Sequence, residues 1–179
     1  MKTFFASVAC AVTACLVVSC ASMSDPSASP TYHGSVSRVK MYVSIGDVTA
    51  DSDSIVVGVA ADCRIDWRHG MPYTVTSFSV TDSSDPSLIG ASISIRQIGS
   101  VDHLIEGVTK VLESGSEYLL ILSAFRLDNG SPIEGQYVVT GEQGGWQITR
   151  AGAQPIFEGH PDVASSLSPE QVAAILQQG

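Results

Sequence analysis

Residues 55–67 read IVVGVAADCRIDW, and the fold class turns on whether that run repeats every 3.6 residues or every two. Its odd positions are Ile55, Val57, Val59, Ala61, Cys63, Ile65 and Trp67, while Asp62, Arg64, Asp66 and Arg68 hold the later even ones. Alternation at period two marks a strand with one buried face. The pattern predicts Cys63 on the core side, where a free cysteine behaves as a small inert hydrophobe.

More strands follow, with turn signals between them. Residues 73–80 are rich in Thr, Val and Phe, and Ala91, Ile93 and Ile95 alternate with Ser92, Ser94 and Arg96. Residues 118–125, YLLILSAF, are almost continuously apolar, as in a central strand covered on both faces. Residues 136–140 and 146–149 are expected to pair as a hairpin across the glycine-rich 141–145. Six short strands with such turns predict a mainly β chain, a small single-domain β-barrel (OB-like) or sandwich.

Helical signals are few. Residues 44–50 suggest a short helix or turn. Near the C-terminus, Ser168-Pro169-Glu170-Gln171 supplies a hydroxyl cap, a proline at the first helical position and a Gln at the third, which is a capping box. Leu167 can staple onto Val172, and Val172, Ile175 and Leu176 form one apolar stripe. A short C-terminal helix is expected, its stripe packed against the barrel.

The N-terminus carries a different kind of information. Lys2 is the only charge before Asp25, and residues 3–18 are dominated by Phe, Ala, Val and Leu. A bilayer-spanning helix needs roughly 20 apolar residues, so this shorter run reads as an export signal. It ends at Val17-Val18-Ser19-Cys20. That tetrapeptide resembles the lipobox of bacterial lipoproteins, in which an apolar, a permissive and a small residue precede a thiol. The resemblance implies cleavage between Ser19 and Cys20, attachment to the Cys20 sulfur of a diacylglyceryl group bearing palmitate-type chains, and a lipid anchor at the cell membrane on its extracytoplasmic face. Val12-Thr13-Ala14-Cys15 fits the pattern less well, since cutting there would shorten the apolar run and leave Leu16-Val17-Val18 at the membrane surface.

Cleavage before Cys20 leaves 160 of the 179 residues and two cysteines, Cys20 and Cys63. With Cys20 acylated, Cys63 is expected to be unpaired, and stability must come from a packed core, which a chain of this length can supply in one domain. Removing Lys2 from the nine Lys+Arg leaves eight against eighteen Asp+Glu, a formal charge of −10. Such a surface repels phosphate backbones, so no nucleic-acid partner is expected. Residues 21–30, ASMSDPSASP, suit a flexible tether. The expected organisation is an export signal at 1–19, a polar tether at 20–32, a β-barrel-like domain at 33–160, and a C-terminal segment at 161–179 with its helix.

A looser resemblance covers much of the mature chain. The order SDSIVVGVA, PYTVTSFSV, SGSEYLLILSAF and YVVTGEQGGWQI is similar to a group of small exported proteins and lipoproteins of Gram-positive bacteria. That resemblance implies an OB-like barrel and lends no catalytic residues.

Chemistry-bearing patterns are sparse. His33, His69, His103 and His160 lack the spacing that puts two metal ligands on one face. Asp82-Ser83-Ser84-Asp85 and Asp51-Ser52-Asp53 lack the calcium-loop spacing and read as turns capping backbone amides. No Gly-x-Ser-x-Gly elbow or Ser-x-x-Lys pair occurs, and residues 141–145 lack the Lys-Ser/Thr of a phosphate loop. Trp67, Tyr73 and Trp146 are expected in the core. No enzyme activity, cofactor or metal is expected. The favoured function is a non-enzymatic cell-envelope lipoprotein domain that binds envelope material or a protein. The alternative is a small-ligand or substrate-binding lipoprotein for transport or sensing.

Overall fold

The computed structural model describes residues 40–102, 110–157, 163 and 165–178. The expected export signal at 1–19 and the expected tether at 20–32, with Cys20, therefore lie outside the described residues.

Seven strands form one sheet: β1 (Ser54–Arg68), β2 (Met71–Ser83), β3 (Ser92–Ile98), β4 (Glu117–Arg126), β5 (Pro132–Val139), β6 (Gly145–Thr149) and β7 (Gly152–Pro155). Helix α1 (Ile45–Ala50) precedes them and α2 (Pro169–Leu176) follows. The chain is mainly β, and five strands close into a ring. β1, β2 and β3 form an antiparallel meander; β3 pairs in parallel with β5; β5 and β4 are antiparallel, and β4 returns to β1. That order is the Greek-key closure of an OB-like barrel, which leaves no open edge within the ring.

Two hydrophobic layers meet back to back at β1 and β4. Inside the ring, Val56 and Ala60 pack with Phe78, Ile93, Ile95, Tyr118, Leu120 and Leu122. On the outer side, Ile55, Val57, Leu119 and Ile121 pack with Trp146, Ala153, Leu167 and Ile175. Residues 118–122 are therefore all buried, as the unbroken apolar run predicts. Each such side chain contributes about 1.5–3 kcal/mol relative to exposure. Trp146, fully buried, also donates from Nε1 to the Ser165 carbonyl at 3.1 Å.

The alternation in β1 does not run unbroken to Trp67. Even-numbered Val56 and Ala60 face the barrel interior, and odd-numbered Ile55 and Val57 face the outer layer. Between Ala60 and Cys63 the register with β2 slips by one residue, and such a bulge exchanges the two faces. Pairing with β4 ends at Val59, so the rest of β1 is held from one side only: Cys63–Ile65 by β2 residues that still pair with β3, and Trp67 and Arg68 by Pro72 and Met71, which form the tip of an arm. Ile65 and Trp67 are consequently 44% and 53% exposed. Cys63 is half-buried rather than buried, and it is disulfide-bonded rather than unpaired. The other cysteines, at positions 10, 15 and 20, lie outside the described residues.

The expected hairpin across residues 141–145 does not form. β5 pairs with Leu122–Arg126 of β4 and β6 with Tyr118–Leu120, both on the edge opposite β1. The two strands are thus one interrupted run along β4, broken by the single-turn 3-10 helix Thr140–Glu142. The glycines permit close passage rather than reversal: a Cβ on Gly144 would sit 2.9 Å from the Ile121 side chain and carbonyl, and one on Gly145 2.7 Å from Ile156. The true hairpin comes next, between β6 and β7, a strand the sequence pattern does not announce.

At the C-terminus the capping box is present. Ser168 Oγ accepts from the Gln171 amide, and Gln171 Oε1 accepts from the Ser168 amide at 2.8 Å. Ile175 is buried, with Val172 and Leu176 packed against the outer layer.

Candidate functional site

Strand register places Arg64, Val75, Arg96 and Val138 in one row across β1, β2, β3 and β5. The neighbouring row holds the core residue Ile95 and its partner Tyr137, so the row of Arg96 lies on the outer face of the ring. Ser92 and Ser94, on the same face, are exposed and half-buried, yet Arg96 is only 7% exposed. Its neighbours supply the cover. Nη2 donates to Asp66 Oδ2 at 2.6 Å and Nε to Gln136 Oε1 at 2.8 Å. The guanidinium lies over the Phe125 ring, 4.7 Å from its centroid, and the Arg68 guanidinium approaches the same ring at 5.6 Å. Such cation–ring contacts hold a charge on apolar surface without neutralising it.

The third nitrogen is different. Nη1 of Arg96 is buried and has no hydrogen-bond partner among the described residues. A buried guanidinium N–H without an acceptor costs about 1–3 kcal/mol, and more when charged. The hydrogen bond from Arg96 holds the Asp66 carboxyl below its ordinary value; partial desolvation opposes it, while the charges of Arg96, Arg68 and Arg64 reinforce it. Asp66 is thus a fixed anion, and it uses one oxygen on one arm of the fork.

The end of the barrel around this cluster gathers cations from an otherwise acidic chain. Arg64 and Arg68 come from the arm, Arg96 from β3, and Arg126 from the end of β4, where it donates to the Gly130 carbonyl at 3.1 Å. The arm's turn reaches the β4–β5 loop, with His69 Nε2 4.0 Å from Asp128 Oδ2. His69 adopts a φ of 51°, a left-handed conformation that non-glycine residues rarely take.

Other candidates are less built. A groove of about 330 Å³ between α1 and α2 is lined mainly by Ile45, Leu167, Ala174 and Ile175. Near α1, Asp51 Oδ2 accepts from the Tyr42 hydroxyl at 2.8 Å and pairs with Lys40. Burial and the Asp51 charge push Tyr42 up to about 12, which makes it a hydrogen-bond donor rather than a base.

Among the sequence-derived candidates, Cys20, His33, His103 and His160 lie outside the described residues, and His69 is highly exposed. Trp146 is core, Tyr73 is half-buried, and Trp67 is exposed. That last placement corrects the expectation, because the arm carries Trp67 past the end of the ring. The Asp-rich turns do cap amides: Asp85 accepts from Ser87 N at 2.9 Å and Asp53 from Ala124 N at 2.8 Å. No group of three or more His, Cys, Asp or Glu residues that could hold a metal occurs among the described residues. Sequence reasoning missed Arg96, which stands where alternation assigns a solvated face. Comparison of the chain with family models, with curated proteins and with solved structures finds no match.

Proposed function

We propose that this chain is a lipoprotein anchored through Cys20 to the extracytoplasmic face of the cell membrane, presenting a β-barrel that binds an envelope component or protein partner without catalysis. The observation that carries the anchor is Val17-Val18-Ser19-Cys20 at the end of the apolar run 3–18. Two acyl chains hold a protein at a membrane durably, each buried methylene adding about 0.8 kcal/mol. The binding half is supported by the arm, where apolar Ile65 and Trp67 are exposed beside Arg64 and Arg68. Aromatic and arginine side chains are the types that dominate recognition surfaces. The charge of −10 argues for a partner other than nucleic acid.

The test is Cys20→Ser in cells fed a labelled fatty acid. The wild-type chain takes up label and sediments with membranes, and the variant does neither. A variant that still labels and stays bound overturns the assignment and moves it to Cys15.

A further inference from the structure

The Arg96 cluster pairs a buried guanidinium with a counter-ion that fills only part of it. A guanidinium presents its two terminal nitrogens as a planar fork matching the two oxygens of a carboxylate. Asp66 engages one tine, Nη2, through Oδ2, while Nη1 stays without an acceptor. Gln136 occupies Nε from the other side and Phe125 supports the plane. The guanidinium is therefore oriented independently of Asp66. Asp66 itself is 36% exposed on the projecting arm, so leaving the fork returns it to water at modest cost.

We propose that Arg96 anchors a carboxylate-binding site whose resting occupant is Asp66, and that a ligand carboxylate takes the Nη1–Nη2 fork when Asp66 swings out. This deepens the binding role proposed above and rests on it. Closing both tines satisfies the buried Nη1, which Asp66 does not, and this gain offsets the loss of the internal pair. Arg64 and Arg68, whose charges already act on Asp66, supply the positive field that draws an anion to this end of an acidic protein. A guanidinium edge takes carboxylate and tetrahedral oxyanions alike, and a carboxylate is the class inferred because the resting occupant of the fork, Asp66, is one.

The experiment titrates the full chain, purified in detergent, with acetate and malonate and, in a second arm, with phosphate and sulfate. Binding is followed by the Arg96 Nε–Hε resonance and by thermal stability. Wild type should show a carboxylate-dependent shift. Asp66→Asn, which removes the internal competitor, should bind malonate on the order of tenfold more tightly. Arg96→Lys, which keeps charge and loses the fork, should abolish the response. If Arg96→Lys does not fold, the decision rests on wild type against Asp66→Asn. Equal affinity in those two, or a response to sulfate as strong as to malonate, overturns the proposal. Failure here with intact Cys20-dependent membrane binding leaves the anchor standing and removes only the carboxylate site; a chain that stays off membranes with Cys20 intact yet binds malonate removes the anchor and leaves the carboxylate site.

Discussion

Asp66 on β1 and Arg96 on β3 meet at 2.6 Å although β2 lies between their strands. The pair joins the projecting arm to the wall of the ring, and its strength depends on Asp66 being ionised. Arg96 holds the Asp66 carboxyl below 3.8, so the native state takes up its proton at lower pH than the unfolded chain does. The stabilisation is fully present above about pH 4 and is lost as pH falls through the native value. Asp66→Asn should unfold at lower temperature than wild type at pH 7, with the difference shrinking toward pH 3. A gap that widens on acidification contradicts the assignment.

The barrel closes only because β1 approaches β2 without a side chain at Gly58. A Cβ there would lie 2.2 Å from the Ser79 carbonyl oxygen and 2.7 Å from Phe78 Cε1, and both neighbours are fixed, one by backbone and one by the core. Gly58→Ala should destabilise the domain by about 1–3 kcal/mol, as overpacking does. Gly90, where an added Cβ meets nothing within 4 Å but φ is 79°, is the control: Gly90→Ala carries backbone strain with no clash. Denaturant midpoints for the two variants separate the effects.

A side-chain amide ties β3 to residues 110–112. Gln97, 5% exposed, donates from Nε2 to the Lys110 carbonyl at 2.9 Å and accepts on Oε1 from Leu112 N at 3.0 Å. Those bonds bring Leu112 into the interior cluster. Gln97→Leu keeps the volume and orphans both backbone groups, a loss of about 1–3 kcal/mol for each group left buried without a partner. Hydrogen exchange should show the Leu112 amide losing protection well before those of 118–122. Equal protection in variant and wild type would count against the clamp.

How much of this was legible in the sequence differs from element to element. Residues 118–125 announced a doubly covered strand because every position from Tyr118 to Leu122 must be apolar when both faces are buried. The C-terminal helix was readable because its capping chemistry is local. β1 was legible as a strand but not in its faces, since a one-residue bulge carries no mark in composition. The 141–145 segment misled because glycine serves close backbone passage as well as hairpin reversal. Arg96 was invisible for a related reason: its burial is made by Asp66, Gln136 and Phe125, each from a different strand.

One cysteine sulfur cannot be both a thioether and half of a disulfide. Cys63 is disulfide-bonded, and the remaining cysteines of the chain are Cys10, Cys15 and Cys20. The proposed cleavage before Cys20 would remove the first two, and the proposed lipidation of Cys20 would consume the third. Lipidation of Cys20 and a bridge from Cys63 to Cys20 therefore exclude each other, so a membrane-anchored chain and a Cys20-bridged chain should be separate species. A chain that keeps an intrachain bridge should carry no acyl group on the cysteine it uses. Intact-mass analysis of the membrane and released fractions, before and after reduction, distinguishes the two species. A chain that carries its lipid on Cys20 and still holds Cys63 in an intrachain bridge must have kept Cys10 or Cys15 as the partner, so finding it would overturn cleavage before Cys20.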